Sequence, residues 1–145
     1  MAARSVKAAS GKMSRGAPAF ERRPWGGFST LEEGPGYKVK RLVVDPGHRF
    51  SYQKHRRRAE HWVVVAGAPR VILNGRRRSL RVHDAITIPR GAWHRAENPG
   101  RVAAVIIEVQ QGAYLEEDDI IRRQDDYGRA APTKPKAGRK RPRPA

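Results

Sequence analysis

Between Phe28 and Gln110 the apolar positions come in short, β-branched runs separated by turn residues. Tyr37–Val44 opens with strict alternation and closes at Asp45–Pro46–Gly47, the pattern of a strand followed by a turn. His61–Trp62–Val63–Val64–Val65 is a buried-strand run ended by Gly67, and Arg70–Leu73 meets Asn74–Gly75. That dipeptide predicts a hairpin, because a type I′ turn needs φ > 0 at both central residues. Further strands are predicted at Arg76–Val82, Ala85–Ile88, Trp93–Ala96 and Val102–Gln110, with Pro89–Gly91 and Asn98–Pro99–Gly100 between them. Many short strands at even spacing predict an all-β sandwich or barrel. After Tyr114 the pattern changes: Leu115, Ile120 and Ile121 among acids predict one short helix near Glu116–Arg123.

Composition narrows this picture chiefly through where the charge sits. The 145 residues hold 31 Lys+Arg against 14 Asp+Glu, a formal charge of +17. Residues 1–19 carry four bases and residues 130–145 carry six, neither with an acid, so +10 belongs to the tails and +7 to the remainder. Both tails are rich in Ala, Gly, Pro and Ser as well, cannot bury enough apolar surface to offset their ordering entropy, and read as disordered. One domain over residues 20–129 is expected, long enough for a single core. The absence of cysteine removes disulfides, thiolate metal sites and Cys nucleophiles. No apolar run approaches the roughly 18 residues of a spanning helix, and the basic N-terminus lacks the apolar stretch of a secretory signal. A cytoplasmic location is the expectation. No phosphate loop, GxGxxG, GxSxG or CxxC pattern is present, so nucleotide binding, serine hydrolysis and zinc-finger roles have nothing to rest on.

Candidate chemistry concentrates in Ser51–Trp62. On a strand, Gln53 and His55 face the same side, and Glu60 can join them once the chain has turned through Arg56–Ala59. A second histidine, His94, follows Pro89–Arg90–Gly91. An amide oxygen, two imidazoles and a carboxylate form a mixed N/O set suited to Zn²⁺, Mn²⁺, Fe²⁺, Co²⁺ or Ni²⁺, without choosing among them. The plainer alternative is a group of surface strand residues. His48 and His83 read as solvated turn residues, Trp25 and Trp62 as core or subunit-contact aromatics, and Arg76–Arg78 as a charged hairpin edge that discourages aggregation.

The run Gly47-x5-Gln53-x-His55-x4-Glu60-x6-Gly67 has the spacing of the first cupin motif, with Gln in place of its first His. Pro89-x-Gly91-x2-His94-x3-Asn98 matches the second. Arg23–Phe28, Leu31–Val44, Arg58–Gly67, His94–Gly100 and Ile106–Arg129 together resemble the cupin domain of type II phosphomannose isomerases. That domain often forms the C-terminal part of a bifunctional mannose-1-phosphate guanylyltransferase, whose glycine-rich nucleotide half is not seen here. Two positions depart from the pattern: Arg57 stands where the family has a further His, and His83 where the general cupin pattern has Gly.

The resemblance implies a double-stranded β-helix, or jelly roll, holding one divalent metal on Gln53, His55, Glu60 and His94. It implies interconversion of mannose 6-phosphate and fructose 6-phosphate in the supply of GDP-mannose for polysaccharides. Such an exchange moves a proton between C1 and C2 through a cis-enediol, which needs a polarised carbonyl and a nearby base. His61 and Lys40 are the candidate proton carriers. Arg58, Arg95 and Lys38 are the candidate phosphate contacts, since an arginine fork can pair bidentately with phosphate oxygens. A sugar phosphate is the expected partner, and pairing into a homodimer is common among cupins of this size. The alternatives are a non-catalytic cupin that binds a sugar phosphate or nucleotide sugar, and a nucleic-acid binder acting through the basic tails. For the tails a solubilising role is the simpler reading, because no aromatic residues are interleaved to stack on bases.

Overall fold

The computed structural model describes residues 18–129, so all but Pro18 and Ala19 of the two predicted tails lies outside the described residues. Eleven strands follow one another: β1 (Phe20–Arg23), β2 (Gly26–Gly34), β3 (Tyr37–Val44), β4 (Tyr52–Lys54), β5 (Arg58–Ala66), β6 (Arg70–Leu73), β7 (Arg76–Ser79), β8 (Ala85–Ile88), β9 (His94–Glu97), β10 (Ala104–Gly112) and β11 (Ile121–Gln124). They form a six-stranded sheet in the order β1-β2-β3-β10-β5-β8 and a five-stranded sheet in the order β11-β4-β9-β6-β7. Every pairing is antiparallel, and the two sheets enclose one core, the jelly-roll arrangement expected from the sequence.

Alternation decides what each strand puts inside. Along β5, Arg58, Glu60, Trp62 and Val64 are buried while His61, Val63 and Val65 face outward. Along β10, Ala104, Ile106, Glu108 and Gln110 are the inward set. In register, Leu42, Ile106 and Val64 form one apolar row across β3, β10 and β5. The next row is Lys40, Glu108 and Trp62, followed by Gln110 and Glu60. One end of the enclosed space is thus packed with Trp25, Phe28, Phe50, Trp62, Val64, Val71, Ile86 and Ile106, and the other is lined by charge. The aromatic stack Trp25–Phe50–Trp62, with edge-on contacts at centroid distances of 5.3 and 5.8 Å, marks the boundary between them.

Two turns show backbone demand directly. Asn74 and Gly75 have φ of 47° and 80°, the type I′ geometry predicted for the β6–β7 hairpin. His83 has φ of 81°, which explains why the general cupin pattern carries Gly there. The helix predicted near Glu116–Arg123 is not formed. Tyr114–Ile120 is irregular, and Ile121–Gln124 pairs with β4 as β11. Partners distant in sequence hold the segment instead: the Asp119 carboxylate accepts from the Arg56 and Arg57 amides, and its backbone carbonyl, which a helix would use, accepts from His55.

Candidate functional site

Three strands and one loop bring the site together. His55 follows β4, Glu60 lies on the inner face of β5, and His94 opens β9, where it is the register partner of Gln53. His55, Glu60 and His94 are each at most 2 % exposed, and their ligand atoms lie within 4.8 Å of one another. Both rings are oriented from behind: His55 Nδ1–H donates to the Asp119 carbonyl (2.6 Å) and His94 Nδ1–H to the Ala92 carbonyl (2.9 Å). A carbonyl can only accept, so the proton sits on Nδ1 and each Nε2 turns its remaining position to the centre. There Nε2 of His55 stands 3.1 Å from Glu60 Oε1, and Nε2 of His94 stands 3.4 Å from Oε2.

This cluster demands positive charge. His94 Nε2 is buried with no hydrogen-bond partner among the described residues. Burial acts to raise the Glu60 pKa, yet the positive charge that its neighbours His94 and His55 can carry when no cation lies among them holds it well below the usual carboxylate range. Arg58 supplies part of the compensation, with Nε donating to Glu60 Oε1 (2.9 Å) and Nη2 to His55 Nε2 (3.2 Å). Two second-row imidazole nitrogens and a carboxylate, converging without protons between them, fit a divalent ion of the Zn²⁺, Mn²⁺, Fe²⁺, Co²⁺ or Ni²⁺ group. Gln53 lies beside the triad: its oxygen accepts from Ser51 Oγ (2.7 Å), and its amide nitrogen is 3.4 Å from His55 Nε2. Coordination through its oxygen would require the amide to turn over. The departure at Arg57 leaves the triad intact, because Arg57 is exposed and stacks on Tyr114 at 4.7 Å.

The other expected site residues separate into two groups. Arg58 and Lys40 line the cavity beside the triad. Lys40 is 3 % exposed, pairs with Glu117 and sits over the Phe28 ring at 4.0 Å. Lys38 is tied at the rim to the Leu115 carbonyl (3.1 Å). His61 and Arg95 do not join them. His61 follows Glu60 on β5, so alternation turns it outward, where it bonds the Thr87 and Gln111 side chains. Arg95 follows His94 and likewise faces away. It is buried, with its guanidinium on the Phe50 and Gln124 carbonyls.

Several cavity residues were not singled out from the sequence. Glu108 is wholly buried, accepts from Trp62 Nε1 (2.9 Å) and Gln110 Nε2 (2.7 Å), and has its pKa pushed up to about 8 by burial and by the charge of Glu60. The same indole also donates to Glu60 (3.1 Å), so Trp62 bridges the two carboxylates. The available signal was alternation: Ala104, Ile106, Glu108 and Gln110 occupy one face of a predicted strand. Glu117 and Arg122 also line the cavity, in the stretch expected to be helical.

The comparisons with known proteins agree with this geometry. The family model described as mannose-6-phosphate isomerase C-terminal matches residues 16–125. The mannose-1-phosphate guanylyltransferase ManC of Salmonella typhimurium is 51 % identical over 107 residues, 74 % of this chain and 22 % of that protein. The xanthan biosynthesis protein XanB of Xanthomonas campestris is 45 % identical over the same share of this chain. The chain thus spans about a quarter or less of the length of these relatives. Among solved structures, the capsular polysaccharide assembling protein CapF of Staphylococcus aureus superposes with a TM-score of 0.66 at 18 % identity, over 73 % of this chain and 34 % of that one. KdgF of a Halomonas species gives 0.60 at 22 %, over 69 % of this chain and 89 % of its own. At these identities the structures speak for the fold, a cupin barrel. The family match covers both strands of the triad and the whole of β10, and the chain belongs to the mannose-6-phosphate isomerase C-terminal family.

Proposed function

We propose that this domain is a divalent-metal-dependent isomerase that interconverts mannose 6-phosphate and fructose 6-phosphate. The observation that carries the reading is the buried His55–Glu60–His94 triad, with both Nδ1–H groups anchored to carbonyls and the His94 Nε2 left without a partner. His55, Glu60 and His94 would hold the ion, with Gln53 adjacent. When bound, the ion supplies Lewis acidity to the sugar carbonyl and offsets the negative charge of an enediolate.

The remaining work belongs to the chain's own groups. Asp119 and Ala92 fix the two rings through their carbonyls, so the metal-facing nitrogens need no reorganisation. Arg58, bonded to both His55 and Glu60, brings a cation to the place where substrate oxygens would arrive. Lys40 and Glu108, both buried, line the cavity next to the triad, and the proton passing between C1 and C2 falls to them. His61, on the outer face of β5, takes no part. The apolar wall of Trp25, Phe28 and Phe50 closes the cavity on one side and limits water near the reacting carbons. The relatives' names, mannose-1-phosphate guanylyltransferase and xanthan biosynthesis protein, support a role in supplying activated mannose for polysaccharides.

The test is direct. Protein freed of metal with chelator and reloaded in turn with Zn²⁺, Mn²⁺, Fe²⁺, Co²⁺ and Ni²⁺ should convert mannose 6-phosphate to fructose 6-phosphate with at least one of them, and His94→Ala should not. A folded protein inactive with each of the five ions would end the proposal.

A further inference from the structure

The cavity wall carries two buried polar atoms without a partner among the described residues, the acceptor Oε1 of Gln110 and the donor Nε of Arg122. The position of Arg122 follows from register. On the five-stranded sheet Arg122 of β11 is opposite Gln53 of β4, and Gln53 is opposite His94 of β9. Directly opposed residues share a face, so Arg122, Gln53 and His94 form one inward-facing row. Two inter-strand spacings place the ends of that row on the order of 10 Å apart.

The surroundings of Arg122 are cationic. Arg23, Lys40, Arg58, Arg122 and Arg129 line the cavity, against Glu108 and Glu117. Those acids are engaged: Glu117 with Lys40, and Glu108 with Trp62 and Gln110. Arg129 is held through Nε and Nη2 by Asp125 (2.8 and 3.0 Å), which fixes it beside Arg122. Burial, and then the charge of Arg129, pulls the Arg122 pKa below its usual value. Two guanidinium groups close enough for their charges to repel at one cavity wall, one with an unused buried N–H, suit an anion.

We propose that Arg122, flanked by Arg129, seats the phosphoryl group of the substrate, at the far end from His94 of the row Arg122–Gln53–His94. This rests on the isomerase reading and specifies it. An extended hexose 6-phosphate spans about 9 Å from C1 to phosphorus, given bonds near 1.5 Å projected along the chain. With phosphate on Arg122, its C1–C2 end reaches the triad. The seat therefore selects for the distance between carbonyl and phosphate as well as for charge: a hexose 1-phosphate cannot satisfy both ends. It also reassigns the phosphate contact expected at Arg95, whose guanidinium is spent on backbone carbonyls outside the cavity.

Calorimetric titration of the Co²⁺-loaded protein with inorganic phosphate, mannose 6-phosphate and mannose tests this. Arg122→Gln should weaken both phosphates roughly 10- to 100-fold, the loss of a charge-assisted contact, while leaving the Co²⁺ visible spectrum unchanged. Arg122→Lys should recover part of the affinity. In unmutated, ¹⁵N-labelled protein the Arg122 Nε–H resonance should move on titration with phosphate, which tests the seat whether or not the variants fold. Unaltered phosphate affinity in Arg122→Gln, or an Nε–H resonance unmoved at saturation, overturns the inference and leaves the isomerase reading standing. Phosphate binding that depends on Arg122 in a protein without isomerase turnover upholds the seat and removes the reaction.

Discussion

Replacing Glu108 with Gln should make the metal-free domain more stable, by an amount that grows with pH. Glu108 is wholly buried, and burial together with the Glu60 charge pushes its pKa up to about 8 from an ordinary 4.5. Folding therefore takes up a proton between those two values. The carboxyl's favourable contribution is complete below pH 4.5, is lost at about 1.4 kcal/mol per pH unit as the pH rises, and is gone above about 8. Relative to a neutral side chain of the same shape, ionisable Glu108 costs about 1 kcal/mol at pH 5, about 3 at pH 7 and roughly 4 to 5 above pH 8. These are large fractions of a typical domain stability of about 5–15 kcal/mol. The amide introduced by Glu108→Gln can still accept from Trp62, and its NH₂ can donate to Gln110 Oε1, which is buried without a partner. Urea unfolding of chelator-treated protein at pH 5, 6, 7, 8 and 9 measures the difference. The wild-type stability should fall away from that of Glu108→Gln across pH 5–8 and then run parallel to it. Saturating Zn²⁺ should shrink the gap, because a cation beside Glu60 removes part of the repulsion. Parallel curves throughout pH 5–9 would refute the buried carboxylate pair.

Other consequences are open to simple measurements. Zn²⁺ or Co²⁺ at 100 times its dissociation constant should stabilise the chelated protein by about 2.7 kcal/mol, roughly 10 °C in Tm, and His94→Ala should abolish the shift in a thermal scan. Trp62→Phe keeps the ring but removes the N–H shared by Glu60 and Glu108; denaturant unfolding at pH 8 should show a loss of about 2–3 kcal/mol. His83→Gly relieves the left-handed backbone at φ 81° and should stabilise the fold by about 0.5–1 kcal/mol, read from urea midpoints. Arg95→Gln should destabilise by about 1–3 kcal/mol through its lost bonds to Phe50 and Gln124 while leaving phosphate affinity unchanged, the reverse of Arg122→Gln.

What could be read along the chain and what could not divides by the range of the interaction. The strand over Tyr37–Val44 and the Asn74–Gly75 hairpin rest on neighbours in sequence, and both stand as predicted. The helix near Glu116–Arg123 failed because its residues answer to partners some 60–70 positions away: Asp119 to His55, Arg56 and Arg57, and Ile121 and Arg122 to β4. Local pattern carries no record of those partners. The candidate residues sort the same way. Alternation alone puts Glu60 and Trp62 on one face and His61 on the other, so His61 could not share Glu60's cavity in any strand arrangement. Arg95 against His94 follows the same rule. Arg122 in one row with His94 depends on β11 pairing with β4 and β4 with β9, which only the folded chain reveals. Glu108 lies between these cases. Its face of β10 begins with Ala104 and Ile106, so a strand that buries those two must bury the carboxylate as well, whatever strands flank it. A charged residue at an alternate position of a core strand is costly enough that the fold must find it a partner or a task; the Lys40–Glu108–Trp62 row, closed by the indole bridge to Glu60, is that answer.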